Sequence, residues 1–408
     1  MNKCPHIDLV SPDTYIGGAP REMYKILRNE NPVYWHEEDT PEGGFWAITK
    51  RKDLDFISKN PLKFSSREKT CFVHDTDDDR LALNRLLIIC MDPPEHIQYR
   101  RIIRNAFTPK KVDSYKERFQ KIALDILDHA VEGGECEFVE DIAAELPLIA
   151  ICELMGVPLE DRDQLFEWTN IMLGADDPDL TTSPEDSQLA VFSVYEYGQK
   201  LAEKHKLNPQ DDIVNTLLTG TVEGESLTDD EFYNFFLLLV VAGNETTRTI
   251  TSHAMRLLME NPDQYQMLVD DPSLIEHAIE EALRYNPAVS VFRRTAMEDV
   301  EVGGQLIKTG DKVMLYYQSV SADEDVFVDP DVFDITRPLR EDVRNDHRAF
   351  GIGEHFCLGS HLARLELQVI MEEIVKRIRN PRLNGEINWL RSNFINGIKK
   401  MPIKFDVA

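Results

Sequence analysis

Ten residues, Phe350-Gly351-Ile352-Gly353-Glu354-His355-Phe356-Cys357-Leu358-Gly359, constrain the fold of this chain more than any other stretch. Three glycines surround one cysteine, and a strongly helical run, 359–379, follows. Glycine accepts positive φ and lets a flat partner lie against the backbone. A cysteine held this way suits a thiolate ligand whose sulfur also receives backbone N–H groups. Phe350 adds an aromatic face. Two plainer readings compete. A lone cysteine often serves as a small buried apolar residue. His347, His355, Cys357 and His361 also read as zinc ligands, but zinc sites pair two ligand clusters at set spacings, and no second cluster is visible.

Apolar spacing predicts helices over 94–107, 114–131, 138–155, 158–173, 187–206, 211–219, 228–261 and 272–285. The helix over 228–261 is the longest, with Thr228 and Glu231 placed for a capping box. Short strands are expected at 33–36 and 45–48, a hairpin around Glu42-Gly43-Gly44, and at 300–302, 305–307 and 312–317. A last hairpin turns at Asn396-Gly397, and 65–90 reads as a long, Asp-rich loop. The fold class is mainly α with small β-sheets.

Ala242-Gly243-Asn244-Glu245-Thr246-Thr247 lies inside the longest helix. An acid there is costly unless paired. Gly243 weakens the helix, and Thr246 can bond back to an earlier carbonyl. An acid and an alcohol at a local helix opening make a site for proton delivery. Glu281-Ala282-Leu283-Arg284 places an acid and a base three residues apart on one helix face.

These motifs together resemble the cytochrome P450 family across nearly the whole chain. The cysteine loop matches that family's Phe-Gly-x-Gly-x-His-x-Cys-x-Gly at all six fixed positions. The resemblance implies a single domain spanning 1–408, a prism of helices around a buried haem b, and Cys357 as iron ligand. It implies a cofactor contact for Ala242, Gly243, Phe350 and Gly359. His96, Arg100, Arg294 and His355 match the family's propionate partners; Arg293 competes with Arg294 for one place. Glu245 and Thr246 match its oxygen-activation pair. Glu281, Arg284 and Arg337 match a structural ion network that braces the cysteine loop. Family position assigns the substrate pocket to Leu87, Ile88, Leu238, Val241, Val289, Val291, Phe292 and Ile395. These are apolar, so a hydrophobic substrate is expected. The wording around Glu245 and Phe292 resembles the branch that oxidises sterol side chains, methyl-branched lipids and terpenoids.

The activity so implied is monooxygenation of an unactivated C–H bond, with O2 and electrons from a ferredoxin-type protein and its reductase. A peroxide-driven peroxygenase of the same fold would not need the acid–threonine pair. A haem sensor or carrier without catalysis stays open on sequence alone.

The net charge of −28 argues against nucleic acid or an anionic membrane as partner. No stretch approaches the roughly 20 apolar residues of a membrane span. Six scattered cysteines (4, 71, 90, 136, 152, 357) show no disulfide spacing, which suits a reducing, cytoplasmic setting. Against this acidic background Arg100, Arg101, Arg104, Lys110, Lys111, Arg344, Arg348 and Arg364 read as a basic patch for an acidic electron donor.

Overall fold

The computed structural model describes residues 7–41, 43–181 and 183–408. Its axis is the helix Asp229–Glu260. Thr228 caps it: its hydroxyl accepts from Glu231 N at 3.3 Å, and the Glu231 carboxylate accepts from Thr228 N at 2.7 Å. Its apolar faces pack against four helices, Glu145–Met155, Pro184–Leu207, Ile275–Tyr285 and Ser360–Arg377. Burial of these faces builds the largest apolar core.

A five-stranded sheet forms the other body of structure. Its order is Val33–Glu37, Gly44–Ile48, Lys312–Tyr316, Val291–Ala296 and Phe64–Ser65. One pairing is parallel, between Lys312–Tyr316 and Gly44–Ile48; the rest are antiparallel. A second sheet joins Ile378–Leu383, Pro402–Val407 and Glu135–Glu137. The molecule is thus mainly α with small β-sheets.

Several expectations need correction. The 65–90 segment is not all loop: Asp77 caps a helix at Asp78–Asn84 by accepting from Arg80 N at 2.8 Å. The 138–155 helix opens with a wide π turn, Val139–Ala143, before the α-helix Glu145–Met155. The strand Val291–Ala296 was not expected, because its adjacent arginines look exposed in sequence. Glu42, in the expected hairpin turn, lies outside the described residues.

Candidate active site

The Cys357 loop is shaped by backbone geometry. Gly351 and Gly353 have φ of +69° and +76°, where side chains are strained. A Cβ at Gly353 would stand 2.6 Å from the Ser58 carbonyl oxygen, so no side chain fits. The Cys357 N–H donates to the Phe350 carbonyl at 2.9 Å and closes the loop. Gly359 has ordinary negative φ, and a Cβ there would meet nothing within 4 Å. Desolvation by the surrounding protein pushes the Cys357 pKa up, while the Gly359 N–H and the charges of Arg100 and Arg364 favour the thiolate.

One ion network braces this loop, and a second ties the helix Ile275–Tyr285 to the segment 321–334. Arg364 stacks on Phe350 at 4.6 Å and donates to Glu280 at 2.5 Å. His347 bonds the same carboxylate at 3.0 Å. Burial raises the Glu280 pKa, but His347 and Arg364 outweigh it and bring it to about 2. Glu281 is fully buried and meets Arg284 at 2.7 Å through both oxygens, and Arg337 at 3.2 Å. The structure therefore gathers Glu281, Arg284 and Arg337 into one buried triad.

Four donors converge beside the loop. The His96 and His355 rings lie 4.2 Å apart. Arg100 donates to the Phe356 carbonyl at 2.5 Å. His355 lies 3.3 Å from the Ser66 hydroxyl. Burial, then Arg100 and Arg294, hold the His96 pKa down to about 4. Burial and the same arginines depress His355 well below its usual range. Buried His96 Nδ1 has no partner among the described residues. Two guanidiniums and two imidazoles, with Arg100 and Arg294 bonded to backbone carbonyls, make a site for a bulky dianion. The two propionates of a haem fit that demand, and the Cys357 sulfur fits its iron.

Strand alternation separates the two candidate arginines. Arg293 shares a face with Val291 and, though itself buried, forms an ion pair with the exposed Asp75. Arg294 shares the other face with Phe292, and its charge reaches His96 and His355.

On the long helix, the Thr246 hydroxyl donates to the Ala242 carbonyl at 2.9 Å. Glu245 is 2% exposed and forms an ion pair with Arg248, one turn on. Arg248 also donates to Asn170 at 2.9 Å. Glu245, Arg248, Asn170, Phe166 and Lys399 line a cavity of about 200 Å³. The expected helix opening is absent: Asp229–Glu260 runs through Gly243 as α-helix. Gly243 instead admits a neighbouring helix, since a Cβ there would stand 2.9 Å from Ile151 Cδ1.

Arg248, Glu280 and Glu366 escaped the sequence reading. Arg248 lies three residues from Glu245, a spacing that could have signalled it. Glu366 is buried, and desolvation pushes its pKa up to about 8 despite a bond from Thr247. Nothing local in the sequence marks it.

The pocket candidates divide. Leu87 is buried with Cys71 and Cys90, and Phe72, Ile89, Leu238 and Phe292 pack on them. Val289 and Ile395 pair across a β-bridge. Ile88 packs on the main helical core, and Val241 is half-buried on the long helix. Val291 is a correction: it lies with Tyr24, Phe45 and Met314 on the strand face opposite Phe292.

The basic patch also shrinks. Arg348 is buried on Asp55, Arg344 pairs with Glu276, and Arg364 with Glu280. Arg101, Arg104 and Lys110 are exposed.

The described residues hold no cluster of three His, Cys, Asp or Glu side chains that could bind a metal ion among themselves. The cytochrome P450 family profile matches residues 150–380. The chain is 37% identical to a steroid C26-monooxygenase of Rhodococcus jostii, covering 98% of this chain and 85% of that one. It is 36% identical to a linalool 8-monooxygenase of Pseudomonas putida, covering 97% and 98%. A Mycobacterium marinum cytochrome P450 solved with pseudoionone superposes with a TM-score of 0.91 at 32% identity, covering 99% of this chain and all of the other. With that likeness running through nearly the whole of each relative, the cysteine loop has a single reading: this chain belongs to the cytochrome P450 family and is one of its monooxygenases.

Proposed function

We propose that the enzyme hydroxylates an unactivated C–H bond of a sterol, terpenoid or branched lipid, near a chain end. The carrying observation is that Leu87, Leu238 and Phe292, from three separate parts of the chain, pack into one apolar cluster. The names of the relatives, a steroid and a linalool monooxygenase, support the same class.

Haem b, held without covalent attachment to its ring, supplies dioxygen activation when bound. Cys357 would ligate its iron, and His96, Arg100, Arg294 and His355 would hold its propionates. Ala242, Gly243, Phe350 and Gly359 would border its faces. Thr246 carries a transferable hydroxyl proton at Oγ1, now engaged by the Ala242 carbonyl. Glu245, the neighbour of Thr246 in the chain, lines the cavity beside Arg248 and in this reading passes protons inward. The apolar cluster excludes water from the substrate and orients it by shape.

Electrons come from a ferredoxin-type protein and its reductase. Arg101, Arg104, Lys110 and Lys111 would meet its acidic surface. No helix among the described residues is long and apolar enough to cross a membrane. We place the enzyme in the cytoplasm, where its thiols stay reduced.

Titrating sterols, terpenoids, fatty acids, small aromatics and charged ligands against the Soret band tests the substrate class. Sterols, terpenoids or branched lipids should shift the spin state and be hydroxylated with NADH and a ferredoxin chain. A shift confined to small aromatics or charged ligands sinks the proposal.

A further inference from the structure

Cys71 and Cys90 are separated by 19 positions in sequence, yet their sulfurs stand 2.8 Å apart. Both side chains are fully buried. Disulfide sulfurs lie at about 2.05 Å, so less than an ångström of movement joins them.

The backbone holds the pair in place. The Cys71 carbonyl accepts from Arg293 N at 2.8 Å, which ties it to the large sheet. The Cys90 N–H donates to the Leu87 carbonyl at 2.8 Å in a tight turn. Thr70 sits at φ 126°, a strained conformation for a β-branched residue. Its hydroxyl accepts from Phe72 N and Asn84 Nδ2, both at 3.3 Å, and approaches the Cys90 sulfur at 3.9 Å. Between the cysteines runs the segment with the helix Asp78–Asn84 and the pocket residue Leu87.

The two sulfurs are not equivalent. Burial pushes the Cys90 thiol up, but hydrogen bonds from Cys71 and Thr70 outweigh it and favour the thiolate. Burial and Cys90 itself push the Cys71 thiol well above its usual range. The Thr70 hydroxyl, 3.9 Å from the Cys90 sulfur, makes Cys90 the thiol suited to attack and leaves Cys71 to resolve.

We propose that Cys71 and Cys90 are an oxidative modification site, converted by hydrogen peroxide to a disulfide that fastens the 71–90 segment at both ends. The Cys90 thiolate attacks one peroxide oxygen. The O–O bond breaks, hydroxide leaves and is protonated to water, and Cys90 carries a sulfenic acid. The Cys71 sulfur then attacks the Cys90 sulfur. The S–S bond forms, the S–OH bond breaks, and the hydroxyl leaves as water with the Cys71 proton. Two thiols give up two electrons and two protons, and one peroxide becomes two waters. Monooxygenase turnover that fails to reach product releases peroxide, so the enzyme's own reaction supplies the oxidant. Fastening the segment would slow exchange of substrate. That consequence alone rests on the proposed pocket.

Reduced holoenzyme should be treated with hydrogen peroxide at levels that leave the Soret band intact, then alkylated and digested without reductant. Mass spectrometry should find a peptide pair linked through Cys71 and Cys90, released by dithiothreitol. Substrate association and dissociation should both slow several-fold in the linked enzyme. Cys71→Ala should stop at a Cys90 sulfenic acid, captured when the treated protein is unfolded in the presence of dimedone. Cys90→Ala should yield no capture at Cys71. The Soret band of each variant reports its fold. Absence of the linked pair in the native enzyme overturns the proposal, as does dimedone capture at Cys71 in Cys90→Ala. The peptide readouts need no substrate, so they stand apart from any failure of the substrate assignment. Unchanged exchange rates in linked enzyme overturn the fastening role.

Discussion

Glu281 answers two guanidiniums beside the segment 321–334, and Glu280 answers a third together with His347 beside the Cys357 loop. The cluster of Cys71, Leu87, Cys90, Leu238 and Phe292 has apolar contacts instead. Buried ion pairs are directional, and breaking one leaves an uncompensated charge. Apolar contacts are not directional, so their partners can be exchanged at modest cost. The ligand side is therefore fixed in geometry, and the pocket side can adapt its contents.

The sharpest test of the fixed side is Cys357→Ala. It should abolish turnover and the CO-difference band of thiolate ligation. A retained band would show that another residue ligates the iron. Next, Glu281→Gln should destabilise the protein by about 3–5 kcal/mol, because Arg284 and Arg337 stay buried without their carboxylate. Denaturant unfolding measures it; a loss under 1 kcal/mol would mean the triad is not bracing. A matched Leu87→Ala in the apolar cluster should cost about 2–5 kcal/mol at most, and should alter substrate affinity as well.

Between the two regions stands the long helix. Thr246→Ala should keep haem and substrate binding but divert reducing equivalents to peroxide or water. Glu245→Gln should slow turnover by roughly 10²-fold. Unchanged product per NADH in the first, or an unchanged rate in the second, removes the residue from proton delivery.

A smaller effect concerns surface charge. Reversing Arg101, Arg104 and Lys110 to Glu should raise the apparent KM for an acidic ferredoxin. The effect should fade as the Debye length drops from about 10 Å at 0.1 M salt to about 3 Å at 1 M. Arg344→Glu should do less, since Arg344 is already paired. Equal effects would return Arg344 to the docking face.

The last test varies pH. Glu280 falls from 4.5 to about 2 on folding, so its stabilisation is present above pH 4.5 and is lost as pH falls toward 2. Glu366 rises from 4.5 to about 8, so its contribution is present below pH 4.5 and is lost as pH rises toward 8. Glu366→Gln should raise stability at pH 8 relative to pH 5. An unchanged pH profile of unfolding would mean Glu366 is not a buried neutral acid.

The sequence revealed what is local. The cysteine loop is ten consecutive residues, and the capping box of the long helix spans four. Glu281 and Arg284 sit one turn apart, so their pairing was readable. What was not readable depends on distant partners. Arg344, Arg348 and Arg364 looked like free charge, because Glu276, Asp55 and Glu280 are far away in sequence. Cys71 and Cys90 meet only through the path of the 71–90 segment. The strand Val291–Ala296 was missed although its period of two would have split Arg293 from Arg294 and Val291 from Phe292.

That strand also sets a rule of frame. Arg293 pins Asp75 on one face, and Arg294 serves the anion site on the other. A shift of one position would send each guanidinium to the wrong side. A single-residue deletion between 287 and 291 would then misplace both at once. The enzyme should tolerate side-chain replacement in this stretch far better than any change in its length.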